Sequence, residues 1–238
     1  MRVRSARRAL TALLTLCLLL PAQASVVIQT TRVIYPAQAR EVAVALVNKA
    51  DHPALVQAWV DDGTVDARPE TSRAPFVLLP PVFRLAPQQG QSLRISQQGL
   101  SALPSDRESL FWLNVLDIPP KPAAGTQNYL QMAIRSRIKL FYRPASLPGN
   151  AQQAAGQLQA RQQGHTLTLH NPSPYHITLS QLEGENAQQQ RTPLAVEMLA
   201  PFASLQHTLP DSQPLRQVHY RTIDDYGAQV AHQRPVGH

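Results

Sequence analysis

The sequence is short of cysteine, aromatic residues and acidic charge. One cysteine among 238 residues excludes an intrachain disulfide framework, a CxxC redox pair and a multi-cysteine zinc site. No G-x-S-x-G, H-E-x-x-H or Walker motif occurs, which removes the common signatures of serine hydrolases, metalloproteases and nucleotide hydrolases. The eight histidines are scattered, with no pair at metal spacing on a strand that also carries carboxylates. No metal or cofactor is expected, and nothing points to an enzyme. Charged residues are few, 16% against 43% hydrophobic, so the chain can build a core and wholesale disorder is excluded. The shortage of acids, 15 against 22 Lys+Arg for a formal charge of +7, would ordinarily suggest a nucleic acid or an acidic surface as partner.

The position of the bases weakens that suggestion. Arg2, Arg4, Arg7 and Arg8 precede an apolar run from Ala9 to Leu20, followed by Pro21-Ala22-Gln23-Ala24. A basic start, a short apolar stretch and an A-x-A ending form a secretory signal peptide over 1–24, cleaved before Ser25. The run is shorter than the roughly 20 residues of a spanning helix. Cleavage would remove Cys17 and four of the bases, taking the charge from +7 to +3. The mature chain would be exported, free of cysteine, without membrane insertion and with no nucleic-acid partner.

What remains alternates with a period of two. Val42, Val44 and Leu46 interleave with Glu41, Ala43 and Ala45. Leu55 to Val60 ends at the turn signal Asp61-Asp62-Gly63, and Ser92 to Ile95 follows the turn Pro87-Gln88-Gln89-Gly90. Leu110 to Leu116 is nearly continuous apolar and suits a central strand, and Tyr129 to Tyr142 reads as one long strand. Such spacing of strands and turns, with no long helical stripe, is the pattern of an all-β sandwich. Arg143 to Asn150 holds two prolines and a glycine and reads as a boundary. The expected domains are 25–144 and 151–238, joined by a linker at 145–150. Ala151 to Gln163 suits a short helix or a polar strand. Shorter β patterns follow at His165–Leu169, Tyr175–Leu182, Val196–Leu199, Ser204–Leu209 and Val218–Ile223.

The long strand is the most informative. Leu130, Met132 and Ile134 share one face, and the opposite face carries Gln131, Ala133, Arg135 and Arg137. An ordinary strand turns such an apolar row into its own core, whereas an edge strand offers it to another chain. Strict alternation sets Lys139 on the face opposite Leu130, Met132 and Ile134, unless a bulge or strong twist intervenes.

Several blocks, in order along the chain, resemble the periplasmic pilus chaperones of the chaperone–usher family. They are Thr31-Arg32-Val33-Ile34-Tyr35, Glu108-Ser109-Leu110-Phe111-Trp112-Leu113-Asn114 running on to Ile118-Pro119-Pro120, Arg137-Ile138-Lys139-Leu140-Phe141-Tyr142-Arg143-Pro144, Asn171-Pro172-Ser173-Pro174-Tyr175 and Ile223-Asp224-Asp225-Tyr226-Gly227. The short stretch from Pro119 to Tyr129 resembles the short-loop subclass. The resemblance implies two immunoglobulin-like domains set at an angle with a cleft between them. It implies that Arg32 and Lys139 bind the C-terminal carboxylate of a pilus subunit. It implies that Leu130, Met132 and Ile134 are inserted into the subunit, and that Glu108, Arg143 and Asp225 form an interdomain ion-pair network. The implied partners are pilus subunits and an outer-membrane usher, and the implied compartment is the periplasm. Self-association of the free chain is left open by the sequence. A rival reading is a pilus subunit or adhesin of the same fold. Such subunits carry an N-terminal donor extension and often a disulfide, and this chain has neither.

Overall fold

The computed structural model describes residues 25–64, 66–98, 103–121, 130–210 and 213–237. The expected signal peptide at 1–24 and most of the stretch from Pro119 to Tyr129 lie outside the described residues.

Among the described residues nine strands precede the boundary: β1 (Val26–Ile28), β2 (Arg32–Pro36), β3 (Val42–Asn48), β4 (Ala54–Asp61), β5 (Phe76–Leu79), β6 (Val82–Leu85), β7 (Gly90–Gln97), β8 (Ser109–Ile118) and β9 (Ile134–Arg143). They form two sheets, ordered β1-β3-β7-β5 and β2-β9-β8-β4-β6. The alternation in the sequence becomes the inside and outside of this sandwich. Val44 and Leu46 are buried while Ala43 and Ala45 are exposed. On β8 the row Phe111, Leu113 and Val115 enters the core, where it meets Val56, Leu93, Ile95 and Leu140. Leu46 and Leu113 are fully buried, so truncating either to alanine should cost about 2–5 kcal/mol.

Past the boundary lie a short helix α1 (Ala151–Ala155) and the strands β10 (Gln159–Gln163), β11 (Thr166–His170), β12 (Ile177–Asn186), β13 (Arg191–Pro193), β14 (Met198–Leu199), β15 (Ser204–Thr208), β16 (Leu215–Ile223) and β17 (Gln229–Gly237). They surround a second core that includes Leu167, Leu169, Ile177, Leu182 and Tyr220. Ala151–Gln163 therefore supplies a helix and then a strand. The Asn150 side chain caps the helix by accepting the Gln153 N–H at 2.8 Å. Strand β17 was not legible in the sequence because Val236 is its one buried residue. It is held by a seven-residue antiparallel register with β16 and a parallel contact with β10.

The long strand is shorter than the sequence pattern suggests. Its ladder with β8 begins at the pair Asp117↔Ile134, because β8 ends one residue later at Ile118. Residues 130–133 have no strand partner among the described residues, although Gln131 Nε2 donates to the Pro119 carbonyl at 2.8 Å.

Candidate functional site

Strand β9 lies between two neighbours of unequal length. Strand β8 pairs with it from Ile134 to Tyr142, whereas β2 runs parallel to it and pairs only from Lys139 to Arg143. Among the described residues, Ile134 to Ile138 therefore have a backbone edge with no strand on the β2 side. Beside that edge Leu130, Met132 and Ile134 are 84%, 60% and 45% exposed. The β8–β9 ladder has no register break, so strict alternation holds. Ile138, Leu140 and Tyr142 pack into the first core, and Lys139 faces the other way.

The parallel register places Arg32 directly opposite Lys139, about 4.8 Å away across the strands. Both point away from the first core toward the second domain. Arg32 is 8% exposed. Its Nη1 donates to the Ile223 carbonyl at the end of β16, at 2.8 Å, and its Nε is buried with no partner among the described residues. Burial lowers the Arg32 pKa, opposed by Asp225 and Asp224. Burial and then the charge of Arg32 lower that of Lys139. The Lys139 ammonium lies 3.4 Å from Thr178 Oγ1 on β12 and 6.0 Å from the centre of the Trp112 ring. Two partly desolvated cations with a spare buried N–H form a site for an anion. A carboxylate would offset the repulsion and complete the hydrogen bonding.

The second domain is clasped to the first around this pair. Arg143 Nη1 and Nη2 donate to the two Asp225 oxygens at 2.7 and 2.9 Å, and Nε donates to Glu108 Oε1 at 2.7 Å. Burial lowers the Arg143 pKa, but the bonds and charges of Asp225 and Glu108 outweigh it and hold the group above its ordinary value. Glu108 is 4% exposed, and its Oε2 accepts the His176 N–H at 2.8 Å. The Asn-Pro-Ser-Pro-Tyr block serves the same junction. Asn171 Nδ2 donates to the carbonyls of Tyr175 and Ala200, and the Pro174 carbonyl of this loop accepts the Glu108 N–H at 2.9 Å. The Gly227 block forms the turn between β16 and β17. Gly227 has φ +88°, and a Cβ there would lie 2.6 Å from Thr31 Oγ1. Only glycine lets this turn approach the segment that leads into Arg32.

The structure thus brings Arg32 to Lys139, and Glu108 and Asp225 to Arg143. Ile134, at the far end of β9, and Leu130 and Met132 just before it sit apart from both groups. Sequence reasoning passed over Thr178, His176, Trp112 and the Ile223 carbonyl. A lone threonine or a main-chain carbonyl leaves no sequence signal, but Trp112 was visible as a large aromatic on the outward face of a central strand.

Comparison with known proteins decides the family. The model of the pili and flagellar-assembly chaperone PapD N-terminal domain matches residues 25–148, and that of the pili assembly chaperone PapD C-terminal domain matches residues 153–234. The chain belongs to the PapD family of pilus-assembly chaperones. Among its relatives, Chaperone protein FimB/FhaD of Bordetella pertussis is 46% identical over 223 residues, covering 90% of this chain and 89% of the relative. Chaperone protein MrkB of Klebsiella pneumoniae is 40% identical over 212 residues, covering 87% and 89%. The crystal structure of the Pseudomonas aeruginosa CupB2 chaperone superposes with a TM-score of 0.77 at 36% identity, covering 89% of this chain and 100% of that one. The Salmonella enterica SafB chaperone, solved in complex with the SafA pilin, gives 0.75 at 29% identity over 91% and 98%. The two-domain all-β architecture and the fimbrial-chaperone function therefore stand, and the pilus-subunit alternative is not favoured.

Proposed function

We propose that the chain works in the periplasm, where it captures pilus subunits by donating β9 as a missing strand and passes them to an outer-membrane usher. The observation that carries this reading is the open backbone edge of Ile134–Ile138, which ends at the buried Arg32–Lys139 pair. An extended segment paired along that edge, with its terminal carboxylate between the two cations, runs in the same direction as β9. It occupies the line that β2 takes up from Arg32 onward. Because such a segment lies in the plane of the sheet, its carboxylate is reachable from the Lys139 face while Ile134 and its neighbours project from the other. Strict alternation and the two roles are thus compatible without a bulge.

The chemistry is binding rather than catalysis. Arg32 and Lys139 anchor the carboxylate, the β9 edge supplies main-chain hydrogen bonds, and Leu130, Met132 and Ile134 fill an apolar groove of the subunit. The clasp of Arg143 with Glu108 and Asp225 holds the domain angle that keeps the Ile223 carbonyl on Arg32. Release requires no nucleotide, since another donor strand can replace β9 by exchange.

Co-expression with a pilus subunit tests this. Tagged chain should recover the subunit from the periplasmic fraction, and Arg32→Ala with Lys139→Ala should abolish recovery. Undiminished recovery by the double variant would overturn the carboxylate anchor. Tagged chain found in the cytoplasmic fraction would overturn the compartment.

A further inference from the structure

The inward row of β8 ends in a charge. Phe111, Leu113 and Val115 are followed by Asp117, which is 6% exposed and lies opposite Ile134 and Val56 in its ladders. Its Oδ2 accepts from Ser25 Oγ and, at 3.2 Å, from the Val26 N–H. Among the described residues its Oδ1 is buried with no hydrogen-bond partner. An uncompensated buried carboxylate oxygen is costly, so the arrangement calls for a donor, preferably a cation. The residue in contact with this carboxylate is Ser25, the residue that leader removal would make the first of the chain.

We propose that cleavage of the Ala24–Ser25 bond creates an ion pair inside the fold, between the new Ser25 ammonium and Asp117. This rests on the export reading above. In the hydrolysis a leader peptidase adds water across the amide. The C–N bond breaks, the water oxygen goes to the Ala24 carbonyl carbon, and Ser25 nitrogen leaves as an amine that is protonated at neutral pH. That nitrogen is three bonds from Ser25 Oγ and so within about 3.7 Å of it by standard bond lengths. Ser25 is also pinned from behind, since its carbonyl accepts the Lys49 N–H at 2.6 Å. The ammonium is thus held beside Asp117 at a corner where β1 of one sheet meets the end of β8 and the start of β9 in the other. An amide at the same place has one donor and no charge, whereas the ammonium has three donors and a full positive charge. Processing therefore ties down β1 next to the segment that carries Ile134.

The other charged or titratable side chains on the segments packed there are Lys49, Asp51 and His52 after β3 and Arg135 on β9. Lys49, Asp51 and Arg135 are exposed, and His52 Nδ1 lies 3.4 Å from its neighbouring Pro53 carbonyl. A free α-amino group titrates near 8, and pairing raises that value in the folded state. The added stability is present below about pH 8 and is lost as pH rises through the raised folded value.

The test compares chain released scarlessly to begin at Ser25 with chain that keeps Gln23-Ala24, each with and without Asp117→Asn. In urea unfolding at pH 7 the extension should lower the folded-to-unfolded ratio about ten-fold when Asp117 is present, and should have little effect in the Asp117→Asn background. NMR titration should place the Ser25 amine about one unit above a free α-amino group. Equal losses in both backgrounds, or an amine that titrates as a free one, would overturn the proposal. Intact mass of the exported protein separates this from the reading it rests on. A periplasmic chain starting elsewhere than Ser25 overturns the ion pair alone, whereas an unprocessed chain retained in the cytoplasm fails the export reading itself.

Discussion

Gly227→Ala perturbs the domain junction without touching a charge. The added Cβ would stand 2.6 Å from Thr31 Oγ1, 3.2 Å from its Cγ2 and 3.5 Å from its Cβ. With the threonine hydroxyl and methyl held against it, the turn must retreat by about 1 Å to reach ordinary van der Waals separation. A non-glycine residue at φ +88° adds roughly 1–2 kcal/mol. Retreat also stretches the bonds that the same turn region supplies, Ile223 to Arg32 and Asp225 to Arg143. Hydrogen bonds to charged groups are worth about 1.5–3 kcal/mol each when intact. Partial loss plus the backbone term gives an expected destabilisation of about 2–4 kcal/mol. Gly164→Ala is the internal control. Gly164 also has a positive φ, +56°, but nothing lies within 4 Å of its would-be Cβ, so the backbone term of about 1–2 kcal/mol stands alone. Urea unfolding of the two variants measures the difference, and subunit co-purification reads the effect on Arg32. If Gly227→Ala is no worse than Gly164→Ala in stability and captures subunit like the unaltered chain, the close approach of this turn does not set the position of Arg32.

Other perturbations follow from the same geometry. Arg143→Met strands Glu108, whose side chain is 2% exposed, and should cost about 3 kcal/mol in urea unfolding. This is the low end for breaking a buried pair, because the Asp225 side chain is 31% exposed. Adding Glu108→Gln should return part of that loss, and small-angle scattering should show a broadened domain angle in the single variant. Met132→Asp changes an exposed residue that lies before β9, so stability should stay within about 0.5 kcal/mol while subunit recovery falls sharply. A lysine whose folded pKa is depressed destabilises the fold while it is charged, so the free chain should gain stability as pH rises through the lowered Lys139 value. Lys139→Met should be the more stable protein at pH 7 and should lack that rise in an unfolding series taken to alkaline pH.

The strands of the first sandwich were legible because one face of each is dry, as the alternation of Val44 and Leu46 with exposed alanines shows. The second domain was less legible where pairing rather than burial holds a strand, as in β17. The expected strand from Tyr129 to Tyr142 starts too early because apolar residues at 130 and 132 continue the period of two after the partner strand β8 has ended. Their exposure is what the proposed insertion into a subunit requires. No periodicity announces that Arg32 and Lys139 meet. That depends on a parallel register between β2 and β9, and only the resemblance of their flanking motifs pointed to them as a pair. Thr178 and the Ile223 carbonyl come from a second domain whose placement is not written locally in either segment.

The central claim is that a terminal carboxylate is anchored between Arg32 and Lys139, and calorimetry with a synthetic peptide tests it most directly. The peptide carries the C-terminal strand of a pilus subunit, once with a free carboxylate and once amidated. Amidation should weaken binding to the unaltered chain by at least about 30-fold, the low end of the 2–5 kcal/mol cost of leaving a buried charge unpaired. The Lys139→Met chain should distinguish the two peptides far less. Equal affinity of the free and amidated peptides for the unaltered chain would contradict this anchoring.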